Sequence, residues 1–163
     1  MTDSRALALF VTLISAVILG GALASQYLGG LQPCMLCLWQ RYPYGVAIAL
    51  GVLALILGGR EGWAEPVILL MGVVLLVGAG IAAFHAGVEY GWWTGLETCG
   101  GVRPPSDSVE ELRRRLLEAP LVRCDEPAWT LLGISLAGFN FLAAVPLGLF
   151  TIAGAVRLWR NAA

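Results

Sequence analysis

Residues 66–85 read PVILLMGVVLLVGAGIAAFH, twenty residues without a charged side chain. About 20 apolar residues in a helix span the roughly 30 Å hydrocarbon core of a bilayer. Three further stretches share this character, at about residues 6–25, 43–59 and 128–156. Lipid offers no partner to backbone N–H and C=O groups, so such stretches must be helices. The expectation is an all-α membrane protein, a four-transmembrane-helix bundle forming one membrane domain over residues 1–163. The second stretch is short and should stand nearly upright. The fourth is longer than a span needs and carries Pro146, which predicts a tilt or a kink.

Composition agrees. The chain of 163 residues is 58% hydrophobic and 13% charged, with a mean hydropathy of +0.79. Soluble domains carry about 25% charged residues. The lipid bilayer is therefore the natural solvent. A formal net charge of −1 excludes nucleic acid as a partner, because no basic excess exists to displace counterions from phosphates. The first stretch also admits a signal-peptide reading, with Arg5 ahead of it and Ala22-Leu23-Ala24 resembling a cleavage site. Its apolar run exceeds the usual 7–15 residues, which favours a span.

Polarity is concentrated between residues 86 and 127, which hold 13 of the 21 charged side chains. With four spans, the first connection (about 26–42) and the third (about 86–127) lie on the same side of the membrane. Those two connections hold all four cysteines, Cys34, Cys37, Cys99 and Cys124. Arg5, Arg60, Arg157 and Arg160 flank the spans on the opposite side, which fits the positive-inside rule. Both termini are thus expected in the cytoplasm and the cysteines outside, where disulfides persist. Tyr27, Trp39, Tyr42, Tyr44, Tyr90, Trp92, Trp93 and Trp129 fall at the cysteine-bearing interface, as an aromatic belt does. Within the large loop Ser108 and Glu111 form a capping-box pattern. Val109, Leu112 and Leu116 share one face of the short amphipathic helix that this predicts.

Cys34-Met35-Leu36-Cys37 is a C-x-x-C just ahead of the second span. A disulfide in so small a ring stabilises little in the chain-entropy model, which favours a redox pair or metal ligands over a staple. A thiol at a helix start is favoured as thiolate. Arg41, four residues on, shares that helix face. It serves either a thiolate or a polar ligand arriving through the membrane, or snorkels to the headgroups. Cys99 and Cys124 stand 24 residues apart in the polar loop. That pair reads as a structural staple, or as one half of a thiol–disulfide relay. Four thiolates could also hold zinc, but the second pair lacks the usual ribbon spacing, so no metal is assigned. His85 reads either as a proton relay or as an interfacial aromatic.

The string Cys34-Met-Leu-Cys37-Leu-Trp-Gln40-Arg41 resembles the motif of the DsbB family, C-x-L-C followed by a Gln-Arg pair. Cys124-Asp125, Trp129 and Leu131-Leu132-Gly133 resemble that family's approach to its last span. The resemblance covers nearly the whole chain. It implies a quinone-dependent protein thiol:disulfide oxidoreductase in a bacterial inner membrane, with the cysteine loops in the periplasm. Cys34 and Cys37 would be the quinone-proximal pair, with Cys37 contacting the quinone and Arg41 assisting. Cys99 and Cys124 would exchange with a DsbA-like periplasmic thiol oxidase, Cys99 forming the mixed disulfide. The cofactor would be ubiquinone or menaquinone. A membrane reductase of the vitamin K epoxide type fits less well, since its usual layout adds a helix and reorders the cysteines. A structural four-span protein with loop disulfides, and a metal-binding membrane protein, are the readings from other classes.

Overall fold

In the computed structural model, residues 3–58, 63–96, 108 and 123–162 are described. The order is α1 (Asp3–Tyr27), α2 (Met35–Trp39), α3 (Arg41–Leu57), α4 (Ala64–Glu89), a hairpin of β1 (Thr130–Leu131) and β2 (Ile134–Ser135), and α5 (Leu136–Ala162). Among the described residues, four helices are long and apolar enough to cross a membrane: α1, α2 with α3 taken together, α4 and α5. Helix α4 is central, packed most extensively against α5 and then α3, while α1 lies on α3. Cys99 and the amphipathic helix expected after Ser108 fall outside the described residues.

The bundle buries many small and weakly polar residues beside a few large ones such as Ile68, Met71 and Leu75, and turns many large apolar side chains outward. Ala8, Ala47, Ala54, Ala79, Ala82, Ala144 and Ala155 are buried, together with Thr12, Ser15 and Thr151. Phe10, Leu13, Val17, Ile56, Val77, Leu142 and Phe150 are exposed. Water would oppose that distribution; lipid tails accept the large side chains, while small residues let helix backbones approach. Gly72 and Gly148 show the approach directly. A Cβ on Gly72 would stand 2.6 Å from Ile152 Cγ1 and 3.1 Å from the Gly148 carbonyl oxygen. Thr12 and Thr151 satisfy their buried hydroxyls within their own helices, each donating to a carbonyl one turn back at 2.6 Å.

The second span breaks at Gln40, between α2 and α3. Pro43 is the cause. Its ring crowds the carbonyl four residues back and removes an N–H, which fits most easily in a first helical turn. The break leaves Pro43 in the first turn of α3. Helix α4 ends in a Schellman motif. Gly91 takes φ +70°, its N–H bonds the Val88 carbonyl, and the Trp92 N–H bonds the Gly87 carbonyl. Trp93 then folds back on Gly87, donates its indole N–H to the Phe84 carbonyl at 2.9 Å and stacks on Phe84.

The last apolar stretch departs from expectation. It does not run as one helix from residue 128. Residues 130–135 form the hairpin, a small exception to the all-α reading, and α5 starts at Leu136. Leu132 and Gly133 both take positive φ, the geometry of a two-residue turn that follows the twist of paired strands. Ser135 then accepts the Gly138 N–H at 3.1 Å, satisfying a donor in the first turn of α5. The Tyr90 hydroxyl donates to the Gly133 carbonyl at 3.0 Å and fixes the hairpin to the end of α4. Helix α5 passes through Pro146 without ending there.

Candidate functional site

Cys34 is the N-cap of α2. Its sulfur accepts the Cys37 N–H at 3.2 Å, in the manner of a capping hydroxyl. The C-x-x-C spacing thus places one sulfur over the first helical turn and the other inside it. The two sulfurs stand 3.0 Å apart as free thiols, with the Cys34 S–H donating to Cys37. That hydrogen bond, with burial added, holds the Cys34 thiol well above its ordinary range. The proton of that hydrogen bond therefore stays on Cys34.

His85 meets this pair from α4. Its Nε2 lies 3.4 Å from Cys34 Sγ and 3.7 Å from Glu89 Oε1. On the other side of the ring, Nδ1 is 2.6 Å from the Gln40 side-chain amide. The helix break at Gln40 lets that amide turn inward, where it is 6% exposed. Asn140 of α5 bonds Gln40 at 2.5 Å, and the Tyr44 hydroxyl of α3 bonds Asn140 at 2.5 Å. Glu89 is held by the Ser135 hydroxyl. One polar chain, Cys34–His85–Gln40–Asn140–Tyr44, thus crosses three of the spans. Amides and hydroxyls both donate and accept, so the chain serves either tautomer of His85.

Arg41 faces back toward α1. It donates to Gln26 Oε1 at 2.5 Å and to the Ala22 carbonyl at 3.1 Å. It does not lie free at the surface as a snorkelling anchor would. A cavity of about 380 Å³ opens between α1, α3 and α5. One part of its wall is Ile18, Leu19, Leu136 and Phe139, and the other is Cys37, Gln40, Arg41, His85 and Glu89. Drug-sized ligands occupy cavities of about 300–1,000 Å³ with mostly apolar walls and a few directed polar groups.

Cys124 lies against the same centre. It is fully buried and packed in one cluster with Cys34, Leu36 and Val88. It is disulfide-bonded. Cys99, its expected partner, lies outside the described residues. The sequence suggested a polar and accessible second pair; the structure buries Cys124. Just beyond it, Arg123 and Asp125 form an exposed ion pair in which the guanidinium lowers the carboxyl pKa.

Of the residues singled out from sequence, Cys37 and Arg41 line the cavity, while Cys34 stands against Cys37 and packs with Cys124. His85 is 2% exposed and faces Cys34, Gln40 and Glu89 inside the bundle. Glu89, counted among the loop charges, is the last residue of α4, and its side chain is only 5% exposed. Tyr44, expected in the aromatic belt, is instead buried at 3% exposure and bonds Asn140 inside the bundle; Asn140 and Gln26 went unremarked. Asn140 carried a signal, since a polar side chain inside a membrane span tends to mark function.

A dithiol at a helix start, beside a cavity among membrane-spanning helices and backed by the disulfide-bonded Cys124, points to a membrane protein of thiol–disulfide chemistry. The family model described as "Disulfide bond formation protein DsbB" matches residues 4–154, and the chain belongs to the DsbB family. It is 32% identical to a disulfide bond formation protein B of Paracidovorax citrulli, over 84% of this chain and 78% of the relative. It is 31% identical to a disulfide bond formation protein B 2 of Pseudomonas syringae, over 93% of this chain and 88% of that one. An uncharacterized protein of Rickettsia prowazekii is 28% identical, over 90% of this chain and 84% of the relative. No solved structure matches the chain significantly. The protein is accordingly a multi-pass membrane thiol oxidoreductase of disulfide bond formation.

Proposed function

We propose that this protein reoxidises a DsbA-like periplasmic thiol oxidase and passes the electrons to a membrane quinone, ubiquinone or menaquinone. It does so in a bacterial inner membrane, with both termini cytoplasmic and the cysteine loops periplasmic. The observation that carries the reading is the placement of Cys37 on the wall of a membrane-level cavity, with Cys124 packed behind its partner Cys34.

The residues suit a quinone. The apolar wall fits a ring and its tail, and Arg41, Gln40 and His85 supply donors for the ring oxygens. A guanidinium has five N–H donors, and the two bonds that Arg41 makes among the described residues leave others for a ligand. The bound quinone would supply an acceptor for two electrons and two protons.

The steps balance as thiol–disulfide exchange. The reduced partner's dithiol gives two electrons to the Cys99–Cys124 disulfide, Cys99 forming the mixed disulfide, and leaves oxidised. That reduced pair then gives two electrons to the Cys34–Cys37 disulfide, and the packing of Cys124 against Cys34 supports a short path. Finally Cys34 and Cys37 close their disulfide, losing two electrons and two protons. Cys37 presents its sulfur to the cavity, and His85 Nε2 is placed to take the proton from Cys34 Sγ.

The test is quinone reduction by the purified protein, driven by a reduced DsbA-like protein and followed by ultraviolet absorbance. Turnover should disappear in Cys34→Ser and in Cys99→Ser. Full turnover by Cys99→Ser contradicts the relay.

A further inference from the structure

Two sulfurs and one ring nitrogen converge where α2 meets α4. The ligand atoms of Cys34, Cys37 and His85 all lie within 4.8 Å of one another. We infer that the reduced Cys34–Cys37 pair and His85 form a binding site for a thiophilic divalent cation of the zinc class, and that its occupancy holds the pair reduced. The site differs from a zinc centre built on the four cysteines. It uses one pair and the histidine, and it exists only while that pair carries no disulfide.

The geometry is close to what zinc requires. Tetrahedral zinc, with bonds of about 2.3 Å to sulfur and about 2.0 Å to nitrogen, sets two sulfurs about 3.8 Å apart and a sulfur and a nitrogen about 3.5 Å apart. Cys34 Sγ and His85 Nε2 are already 3.4 Å apart. The two sulfurs, at 3.0 Å, need to separate by less than about 1 Å. A disulfide, with its sulfurs about 2.05 Å apart and no thiolate, offers neither the spacing nor the charge. The site is thus present in one redox state and absent in the other.

The surroundings supply what such a site needs. Cys37 and His85 line the cavity, which leaves room for a fourth ligand such as water. Two thiolates cancel the charge of a divalent cation, so the bound core is neutral in a setting that disfavours charge. A metal on His85 Nε2 requires the proton on Nδ1. Gln40 then accepts that proton's hydrogen bond, and Asn140 and Tyr44 turn behind it without losing a bond. Such a partner fixes the orientation of a metal-ligating imidazole. Thiolate and imidazole ligands select zinc-like ions over magnesium or calcium.

Binding exchanges protons and no electrons. Zinc replaces the protons of Cys34 and Cys37, releases both, and leaves each sulfur in its reduced state. While zinc is held, the pair cannot close its disulfide. Ligation at Cys37 and His85 stands apart from the relay, whereas its consequence as a brake on turnover rests on the proposed function.

The test uses the full-length protein with Cys99→Ser and Cys124→Ser, so that one thiol pair remains. The reduced protein, freed of reductant, is titrated with zinc against a chromophoric chelator. One zinc per protein and two released protons are expected, with none bound by the oxidised pair and no competition from magnesium. His85→Ala should weaken binding by more than about tenfold, and Gln40→Ala by about tenfold or more. Cobalt in place of zinc should give a thiolate charge-transfer band that is lost in Cys37→Ser. In the unsubstituted protein, zinc should stop alkylation of Cys37, which covers the case of a double variant that fails to fold. Equal affinity in His85→Ala, zinc retained by the oxidised pair, or no zinc bound by folded reduced protein each overturns the inference. Neither quinone nor partner enters the titration, so failure of the relay and failure of this site are read separately.

Discussion

Cys34 Sγ and His85 Nε2 lie 3.4 Å apart, although 51 positions separate them in sequence. Each is fixed by its own element. Cys34 is held as the cap of α2, and His85 is held between Gln40 and Glu89 on α4. The contact joins the dithiol to the polar chain that reaches Tyr44, so a proton leaving Cys34 has a defined acceptor.

His85→Ala removes that acceptor and leaves both sulfurs in place. General acid–base groups contribute about 10²–10⁴-fold. Quinol formation should slow by about 100-fold or more, while the first exchange with the thiol partner keeps its rate. Stopped-flow absorbance separates the two steps. An unchanged rate of quinol formation would reduce His85 to a packing residue.

The reduced pair should be chemically unequal. The hydrogen bond to Cys37 holds the Cys34 thiol pKa above its ordinary range, so raising pH through neutrality leaves the proton on Cys34. Limiting iodoacetamide near pH 7 should therefore label Cys37 first, and labelling of Cys34 should rise only at strongly alkaline pH. Peptide mass spectrometry reads the ratio. Preferential labelling of Cys34 would reverse the assignment of the two sulfurs.

Arg41→Ala should act on the quinone more than on the thiols. The guanidinium lines the cavity and is tied to Gln26 and to the Ala22 carbonyl. Hydrogen bonds to charged groups contribute about 1.5–3 kcal/mol, so the apparent quinone affinity should fall by about tenfold to a hundredfold. Steady-state kinetics at varied quinone concentration checks this. An unchanged quinone KM and kcat would leave Arg41 as a tie between α1 and α3.

Two glycines of α4 should respond in opposite directions. A methyl at Gly72 meets Ile152 and the α5 backbone, so Gly72→Ala should cost about 1–3 kcal/mol by overpacking. A methyl at Gly80 meets nothing within 4 Å, and Gly80→Ala should stabilise by about 0.5–1 kcal/mol through helix propensity. Unfolding midpoints in detergent compare them. Equal shifts would contradict the close α4–α5 packing.

Spans are legible in sequence because one physical requirement, pairing every backbone group inside lipid, acts on each residue of a long run. The cysteines are legible because their chemistry is rare and their spacing informative. What sequence did not yield depends on contacts between distant elements. Nothing local distinguishes a buried His85 from one at the interface; its burial follows from the Gln40 break, which Pro43 produces by steric exclusion. Glu89 reads as a loop charge until the Schellman motif at Gly91 carries α4 past it. The hairpin was hidden because its residues are as apolar as a span, and only Gly133 and the capping Ser135 mark where the helix begins.

The central claim is that Cys34 and Cys37 deliver electrons to a quinone in the adjoining cavity. A single-turnover reaction tests it most directly. Protein carrying Cys99→Ser and Cys124→Ser is reduced, freed of reductant and mixed with ubiquinone or menaquinone without any thiol partner. One quinol per protein should form as the Cys34–Cys37 disulfide closes, and none should form with Cys34→Ser. Folded, reduced protein that binds quinone in the cavity yet forms no quinol would contradict the account.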